Sequence, residues 1–365
     1  MKFVIIGAGQ TGRGFIAPFI SNAGHEITFI DKDENLISEL QKEKQYTVNY
    51  FEEGVNPLQI SGFNAINWED AEVDNYLQEA DVIITSVFAG NIESLVPKLK
   101  EPLSEKSSKA VIICIENGVN VKKPLIDAQV NANISEGVIY CTSIADKNSL
   151  TVTSEFGLEL PIDGSIEGVD FDIEGMVRVF DFPKVIQRKI YTYNFMSAII
   201  AYLGSYEGSS NYATAANSET IEYTIEKIRP TLNQFISEKY GFDLKQQEQF
   251  TQKAIDKFQN YNIPDSIVRN TQQAKRKLGK NERLMVPLGL AQEYGLETRY
   301  IDLIISAAMF YAIKYEEEKT ENIMEFVRES VNSPKDMMII KSIFSKMIEN
   351  KPLVSILRDL ETGEI

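Results

Sequence analysis

Three glycines at fixed spacing and one acid give the first chemical signal. Gly7-Ala8-Gly9-Gln10-Thr11-Gly12 is a glycine-x-glycine-x-x-glycine run, and Asp31 stands about twenty residues beyond it. Gly7 permits a tight turn, Gly9 lets backbone approach a pyrophosphate, and Gly12 lets helix and strand pack closely. A helix starting there offers free N–H groups and a positive dipole end to phosphate oxygens. The bland alternative is a plain structural turn. Asp31 can accept hydrogen bonds from both ribose hydroxyls and would repel a 2′-phosphate, so NAD is expected rather than NADP, with Lys32 beside it acting in the opposite sense.

A second signal lies far along the chain, in Lys189-Ile190-Tyr191-Thr192-Tyr193-Asn194-Phe195-Met196-Ser197. On an ideal helix, with Lys189 at zero, Asn194 falls at about 140° and Ser197 at about 80°. All three then share one broad face, with Ser197 in the middle. A lysine, an amide and a hydroxyl facing a nicotinamide would suit carbonyl or alcohol redox chemistry. By spacing alone the signal is weak, because lysine and asparagine on a helix usually form a solvated face.

The elements that must carry these residues follow an alternating pattern. Lys2–Ile6 is a near-continuous apolar run, short enough for a buried strand. Phe15, Ile16, Phe19 and Ile20 recur at helical spacing, Asn22-Ala23-Gly24 ends that helix, and residues 25–30 form a second strand stopping at Asp31. A surface helix is expected over 34–42 and a small antiparallel excursion over 46–66. A parallel strand over 81–87 ends at Val87, and Val87 with Phe88-Ala89-Gly90 should lie beside the cofactor, because ligands bind at the carboxyl ends of strands in open α/β sheets. A helix follows over 92–99. A strand over 110–115 delivers Glu116-Asn117-Gly118, and one over 137–142 delivers Ser143 to Asp146. Residues 150–182 read as antiparallel strands and turns, and helical periodicity dominates beyond Pro183. The expected fold is an α/β Rossmann-type N-terminal domain over 1–183, with an antiparallel extension, and a largely α-helical C-terminal domain over 184–365 bearing substrate and catalytic groups. No internal repeat or low-complexity segment stands out. Glu316-Glu317-Glu318 reads as a solvated helix face.

Bulk properties narrow the partners. Thirty-seven basic against 53 acidic residues leave a net charge of −16, which argues against nucleic acid or an anionic membrane surface and leaves a small molecule as partner. No apolar run approaches the roughly twenty residues needed to span a bilayer. No signal peptide is expected, and Cys114 and Cys141, both placed in predicted buried strands, read as inert core thiols of a cytoplasmic protein. The one histidine, His25, opens strand two and reads as structural, so no metal site is expected.

The chain resembles the polyol-specific long-chain dehydrogenases over nearly its whole length. The likeness runs through GAGQTGRGFI, the strand ending at Asp31, IICIENGV, RKIYTYNFMSAIIAYLG, Lys239-Tyr240-Gly241-Phe242, RKLGKNERLMVPL and EYGL. The family motif is Lys, five on Asn, three further His. Lys189 and Asn194 match it, Ser197 replaces the histidine, Asn117 matches the asparagine after the fifth strand, and Asp146 with Lys147 stands for an Asp-Arg pair. The resemblance implies that Lys189 is the general base for alcohol oxidation, and that Asn117 and Asn194 donate hydrogen bonds to the developing alkoxide. It further implies interconversion of a polyol or its phosphate with a ketose or its phosphate, mannitol 1-phosphate and fructose 6-phosphate being the first expected pair. Arg269, Lys275, Arg276, Lys277 and Arg283 form a basic cluster within this acidic chain. They read either as a phosphate site or as surface salt bridges; Gln272 stands where the family tends to have a second arginine. A sugar-acid or hydroxy-acid dehydrogenase, and a non-catalytic NAD-binding protein, are the other open readings.

Overall fold

A strand buried on both faces is apolar wherever its side chains have no polar partner, and the first strand shows why this chain starts as it does. In the computed structural model, which describes residues 1–365, β1 (Lys2–Ile6) lies at the centre of a sheet. Phe3 and Ile5 point into one core layer and Val4 and Ile6 into the other. Its partners are β2 (Glu26–Asp31) and β6 (Val82–Thr85), both parallel to it.

The remaining strands are β3 (Gln45–Tyr50), β4 (Leu58–Ser61), β5 (Asn64–Asn67), β7 (Ala110–Ile115), β8 (Ala132–Gly137), β9 (Ser143–Ala145), β10 (Val152–Ser154), β11 (Leu160–Asp163) and β12 (Met176–Val179). The main sheet has eight strands in the order β12-β11-β8-β7-β6-β1-β2-β5. The run from β5 to β8 is parallel throughout. This is the order of a doubly wound dinucleotide fold, in which the strand order reverses between β1 and β6. A second sheet, β4-β3-β10-β9, packs over the helix that follows the glycine turn.

Several expectations are corrected in detail. The strand expected over 137–142 lies earlier, at β8. Its sequence, Ala-Asn-Ile-Ser-Glu-Gly, hides its burial because the polar residues are satisfied by distant partners. Ser135 Oγ donates to the Asp163 carbonyl at 2.9 Å, and Glu136 pairs with Lys122 at 3.3 Å. Cys141 therefore lies outside any strand and is half-buried, whereas Cys114 sits in β7 and is fully buried. The 46–66 excursion contributes an antiparallel β3–β4 pair, but β5 joins the main sheet parallel to β2. The 150–182 segment is mixed: β11 is antiparallel to β8, while β12 is parallel to β11 and β10 is parallel to β3.

The chain divides into two compact units, Met1–Ile186 and Gln187–Ile365. All twelve strands fall in the first, and the second is built of helices. Its Arg299–Tyr315 helix is buried from Tyr300 to Ala312 and reads apolar on nearly every side, as a central helix must. The long Glu219–Tyr240 helix closes on Gly241, whose φ of 74° supplies the left-handed cap that glycine adopts without strain. No helix is long and apolar enough to cross a membrane.

The second sheet packs directly onto Gly14, in the turn that follows the glycine motif. A Cβ there would lie 2.4 Å from Val152 Cγ1 and 2.7 Å from Ser154 Oγ. Val152 is a stiff, fully buried side chain on β10. Gly14→Ala should therefore destabilise the protein by about 1–3 kcal/mol through overpacking. A urea titration would show it as a lower midpoint at unchanged slope; an unchanged midpoint would mean that the second sheet yields freely.

Candidate active site

In the first unit the glycine turn is over-determined. Gly7 has φ of +102°, and a Cβ on it would lie 2.2 Å from the Ser86 carbonyl oxygen at the end of β6. Gly12 leaves no more room, since its Cβ would lie 2.1 Å from the Gly7 carbonyl oxygen. Gly9 is different: it is exposed, and nothing lies within 4 Å of where its Cβ would be. Two glycines thus serve close packing and the middle one leaves open space, which is what a pyrophosphate on backbone N–H groups requires. Gln10 is exposed and Thr11 half-buried at this opening.

Asp31 ties strand end to turn. Its Oδ2 accepts from the Ala8 N–H at 2.7 Å and its Oδ1 from the Asp33 N–H at 3.0 Å. Each carboxylate oxygen keeps a lone pair for a ribose hydroxyl. Arg13, which the sequence reading passed over, faces inward. Its Nε donates to the Ala8 carbonyl at 2.7 Å, a terminal nitrogen donates to the Leu150 carbonyl, and the guanidinium lies 5.6 Å from the Tyr46 ring centre. Arg13 therefore braces the turn from behind, with burial lowering its pKa.

Further along the same sheet edge, the Val87 N–H donates to Glu116 Oε1 at 2.7 Å. Glu116 is 8% exposed, and burial pushes its carboxyl up to about 7. An acid at the end of the apolar run Ile-Ile-Cys-Ile was the signal that could have found it. Asn117, the next residue, is exposed at that edge. Asp146 lies elsewhere: it follows β9 in the smaller sheet, where its Oδ1 accepts from the Asn148 N–H at 2.7 Å. The expectation that a main-sheet strand delivers it is corrected accordingly.

In the second unit, Lys189 ends one helix (Phe182–Lys189) and caps a π-helical turn (Ile190–Asn194), which runs into another helix (Phe195–Tyr206). The π turn takes about one more residue per turn than an α-helix, so the ideal-helix count of angles does not carry across it. A second π turn, Gly12–Ile16, follows the glycines. Both candidate regions thus carry the rare local geometry that concentrates at functional sites. Lys189 is 5% exposed, and its pKa is pushed down to about 7, first by burial and then by the positive charges of Arg283 and Lys257.

What holds this turn is a buried polar network. Arg188 Nε donates to Gln247 Oε1 at 2.7 Å, and its guanidinium lies between the Phe242 and Phe250 rings at 4.3 and 4.1 Å. Gln247 Nε2 donates to Thr192 Oγ1 at 3.0 Å and to Thr251 Oγ1 at 3.1 Å, and Thr251 donates to Asn233 Oδ1 at 2.6 Å. Asn194 is half-buried at the end of the turn. Ser197 is committed to local bonds: its hydroxyl accepts from Tyr212 Oη at 2.9 Å and donates to Asn270 Oδ1 at 3.4 Å.

The basic cluster separates into two groups. Arg269 pairs with Asp265 at 3.3 Å, Lys275 with Glu318 at 3.0 Å and Arg276 with Glu282 at 2.7 Å, all half-exposed. Lys277 is 7% exposed and donates to the Asn270 carbonyl at 2.6 Å. Burial, then Arg283 and Arg276, push its pKa down to about 7. Arg283 has a buried Nε with no hydrogen-bond acceptor. The structure contains no group of histidine, cysteine and acidic side chains able to hold a metal ion.

Comparison with known proteins agrees in both halves. Residues 1–176 match the model for the mannitol dehydrogenase Rossmann domain, and residues 181–361 match that for the mannitol dehydrogenase C-terminal domain. The mannitol-1-phosphate 5-dehydrogenase of Thermoanaerobacter pseudethanolicus is 28% identical, with 86% of this chain and 87% of the relative covered. That of Bacillus subtilis is 30% identical, with 77% and 81% covered. The fold is shared with a Pseudomonas fluorescens mannitol 2-dehydrogenase solved with NAD and D-mannitol, at a TM-score of 0.77 and 13% identity over 99% of this chain and 94% of that one.

In protein carrying 13C at the lysine ε carbons, two lysine resonances should titrate near pH 7, well below the ordinary lysine range, and Lys189→Arg and Lys277→Arg should each remove one. If every lysine titrated above about pH 9, the buried-cation description would fail.

Proposed function

We propose that this chain, which belongs to the mannitol dehydrogenase family, oxidises a polyol phosphate to the ketose phosphate with NAD, and that mannitol 1-phosphate and fructose 6-phosphate are the pair. As a family member it is an NAD-dependent dehydrogenase acting on a CH–OH group. The observation that carries the mechanism is Lys189, a buried lysine poised to be half neutral near pH 7.

NAD, when bound, supplies the acceptor for the hydride that leaves the carbinol carbon. The residues fitted to hold it are the open Gly9 backbone with Gln10, Thr11 and Asp31. Neutral Lys189 takes the hydroxyl proton onto Nζ, and in the reverse direction its ammonium returns that proton to the alkoxide. A base with a pKa near the working pH balances protonation state against driving force, and the depressed value meets that requirement. Asn194, at the end of the same π turn, is assigned as an amide donor to the developing alkoxide, and the family pattern assigns Asn117 a like role. Ser197 is assigned no proton transfer, because Tyr212 and Asn270 already occupy its hydroxyl.

The phosphate reading rests on Lys277 and Arg283. Lys277 is buried, and half-buried Arg283 keeps a buried Nε without an acceptor, its nearest carboxylate, Glu282, being 3.9 Å away. Cations in such water-poor surroundings are costly, and a phosphate would offset that cost through charge-assisted hydrogen bonds. Arg269 and Arg276 are spoken for by acids and are assigned no such role.

The deciding experiment offers polyols, polyol phosphates and sugar acids with NAD and follows absorbance of the reduced cofactor. Turnover of a sugar acid, with none of any polyol or polyol phosphate, would overturn the reading. Lys189→Ala should lower kcat by about a hundredfold, the usual worth of a positioned acid or base. The unmodified enzyme should oxidise faster as pH rises through about 7, because only the neutral amine accepts a proton, and the variant should lose that rise. Retention of most of the activity would move the base elsewhere.

Arg283→Ala should raise KM for the polyol phosphate at least about tenfold, or 1.4 kcal/mol, while leaving KM for the free polyol nearly unchanged. Arg276→Ala should do little to either. Equal effects on both substrates would remove the phosphate from this place.

A further inference from the structure

The carboxyl edge of the main sheet carries a buried acid that the mechanism above does not use. Glu116, 8% exposed, follows β7 and turns its carboxylate toward the loop after β6. Its Oε1 accepts from the Val87 N–H at 2.7 Å, and the Phe88 N–H also bonds to the carboxylate. Phe88 is strained and bare. Its φ is +71°, a left-handed value that a bulky residue adopts only when its surroundings hold it there, and its side chain is 83% exposed. The loop is pinned from the other side as well, since Asn91 Nδ2 donates to the Val87 carbonyl at 2.6 Å.

This loop adjoins the glycine turn. The Ser86 N–H donates to the Ile6 carbonyl at 2.8 Å, and the Ser86 carbonyl is the atom that forces position 7 to be glycine. The strand order reverses between β1 and β6, and the crevice outside such a reversal is where open α/β sheets take ligands. An exposed phenyl ring at that crevice has a flat apolar face to offer, and an aromatic ring system is the partner that covers such a face best.

We propose that Glu116 is a positioning residue for the dinucleotide: its carboxylate clamps the Val87 and Phe88 peptides and thereby stands the Phe88 ring against an aromatic ring of the bound cofactor. The inference rests on the dinucleotide reading of this crevice. Neighbouring ionisable groups are Cys114, whose thiol burial pushes up to about 12, and Glu136, which is paired with Lys122. The Val87 contact belongs to Glu116 alone among them.

The test is NADH titration followed by its fluorescence, on the full chain, with a thermal melt of each variant. Glu116→Ala should raise the Kd for NADH about tenfold, and Phe88→Ala should do the same. The double variant should be no weaker than either single one, because both act through one contact. Glu116→Gln keeps an acceptor oxygen in place and should bind NADH within about threefold of the native protein. A residue that only stabilises the fold would lower the melting temperature and leave Kd where it was, which would overturn the proposal. So would independent, multiplying effects of the two alanine variants. If Glu116→Ala does not fold, Phe88→Ala and Glu116→Gln still decide: native affinity in Phe88→Ala, or a tenfold loss in Glu116→Gln, each sinks it. Failure of the native protein to bind NADH would instead bring down the dinucleotide reading itself.

Discussion

A lysine ammonium taken out of water is unstable, and the helical unit is arranged around that fact. Lys189 is almost wholly buried, and positive charge from Arg283 and Lys257 adds to the penalty on its own charged form. Desolvation and like charge act in the same sense, so the amine loses its proton far more readily than an exposed lysine does. That destabilisation has to be supported by the surrounding structure. Arg188, the adjacent residue, is stacked between Phe242 and Phe250 and bonded to Gln247, which reaches on to Thr192 within the π turn. A fully bonded polar network of this kind fixes one backbone path and leaves Lys189 little freedom to swing toward solvent.

The first unit solves a different problem, the close approach of backbone to an anion. Gly7 and Gly12 are glycine because neighbouring carbonyl oxygens occupy the space a side chain would need. Asp31 then accepts the Ala8 N–H, so the acid expected to read the ribose also sets the shape of the turn. Arg13 illustrates how residue type can mislead. A basic side chain just after a phosphate-binding turn invites a phosphate role, yet here its guanidinium bonds carbonyls beneath the turn. Its Nε fills the Ala8 carbonyl from below while the Ala8 N–H is held by Asp31, which leaves the open face to Gly9.

Electrostatics works locally against the net charge of the chain. Fifty-three acids outnumber 37 bases, and most surface cations of the basic cluster are matched with carboxylates. Exposed pairs of that kind add little to stability. Lys277 is the buried member and has no carboxylate partner, while Arg283 is half-buried and has only Glu282 at 3.9 Å.

The sequence by itself determined the dinucleotide unit, because every part of that signal is local. Strand, glycine spacing, helix and terminal acid lie within about thirty residues, and each is constrained by backbone geometry next to it in the chain. The change to helical periodicity near Pro183 and the Lys189–Asn194 spacing were legible for the same reason. What only the tertiary structure decided depends on partners far apart in sequence. Strand β8 was misplaced because Ser135 and Glu136 look polar until Asp163 and Lys122 are brought to them. The basic cluster could not be divided from sequence, since Asp265, Glu318 and Glu282 claim some cations and burial claims the others. Ser197 shared a helical face with Lys189 only under a straight α-helix, and the π turn that removes that assumption is held by Gln247, more than fifty residues away. Side-chain chemistry is written in the chain; which atoms satisfy it, and which are left to a substrate, is set by the fold.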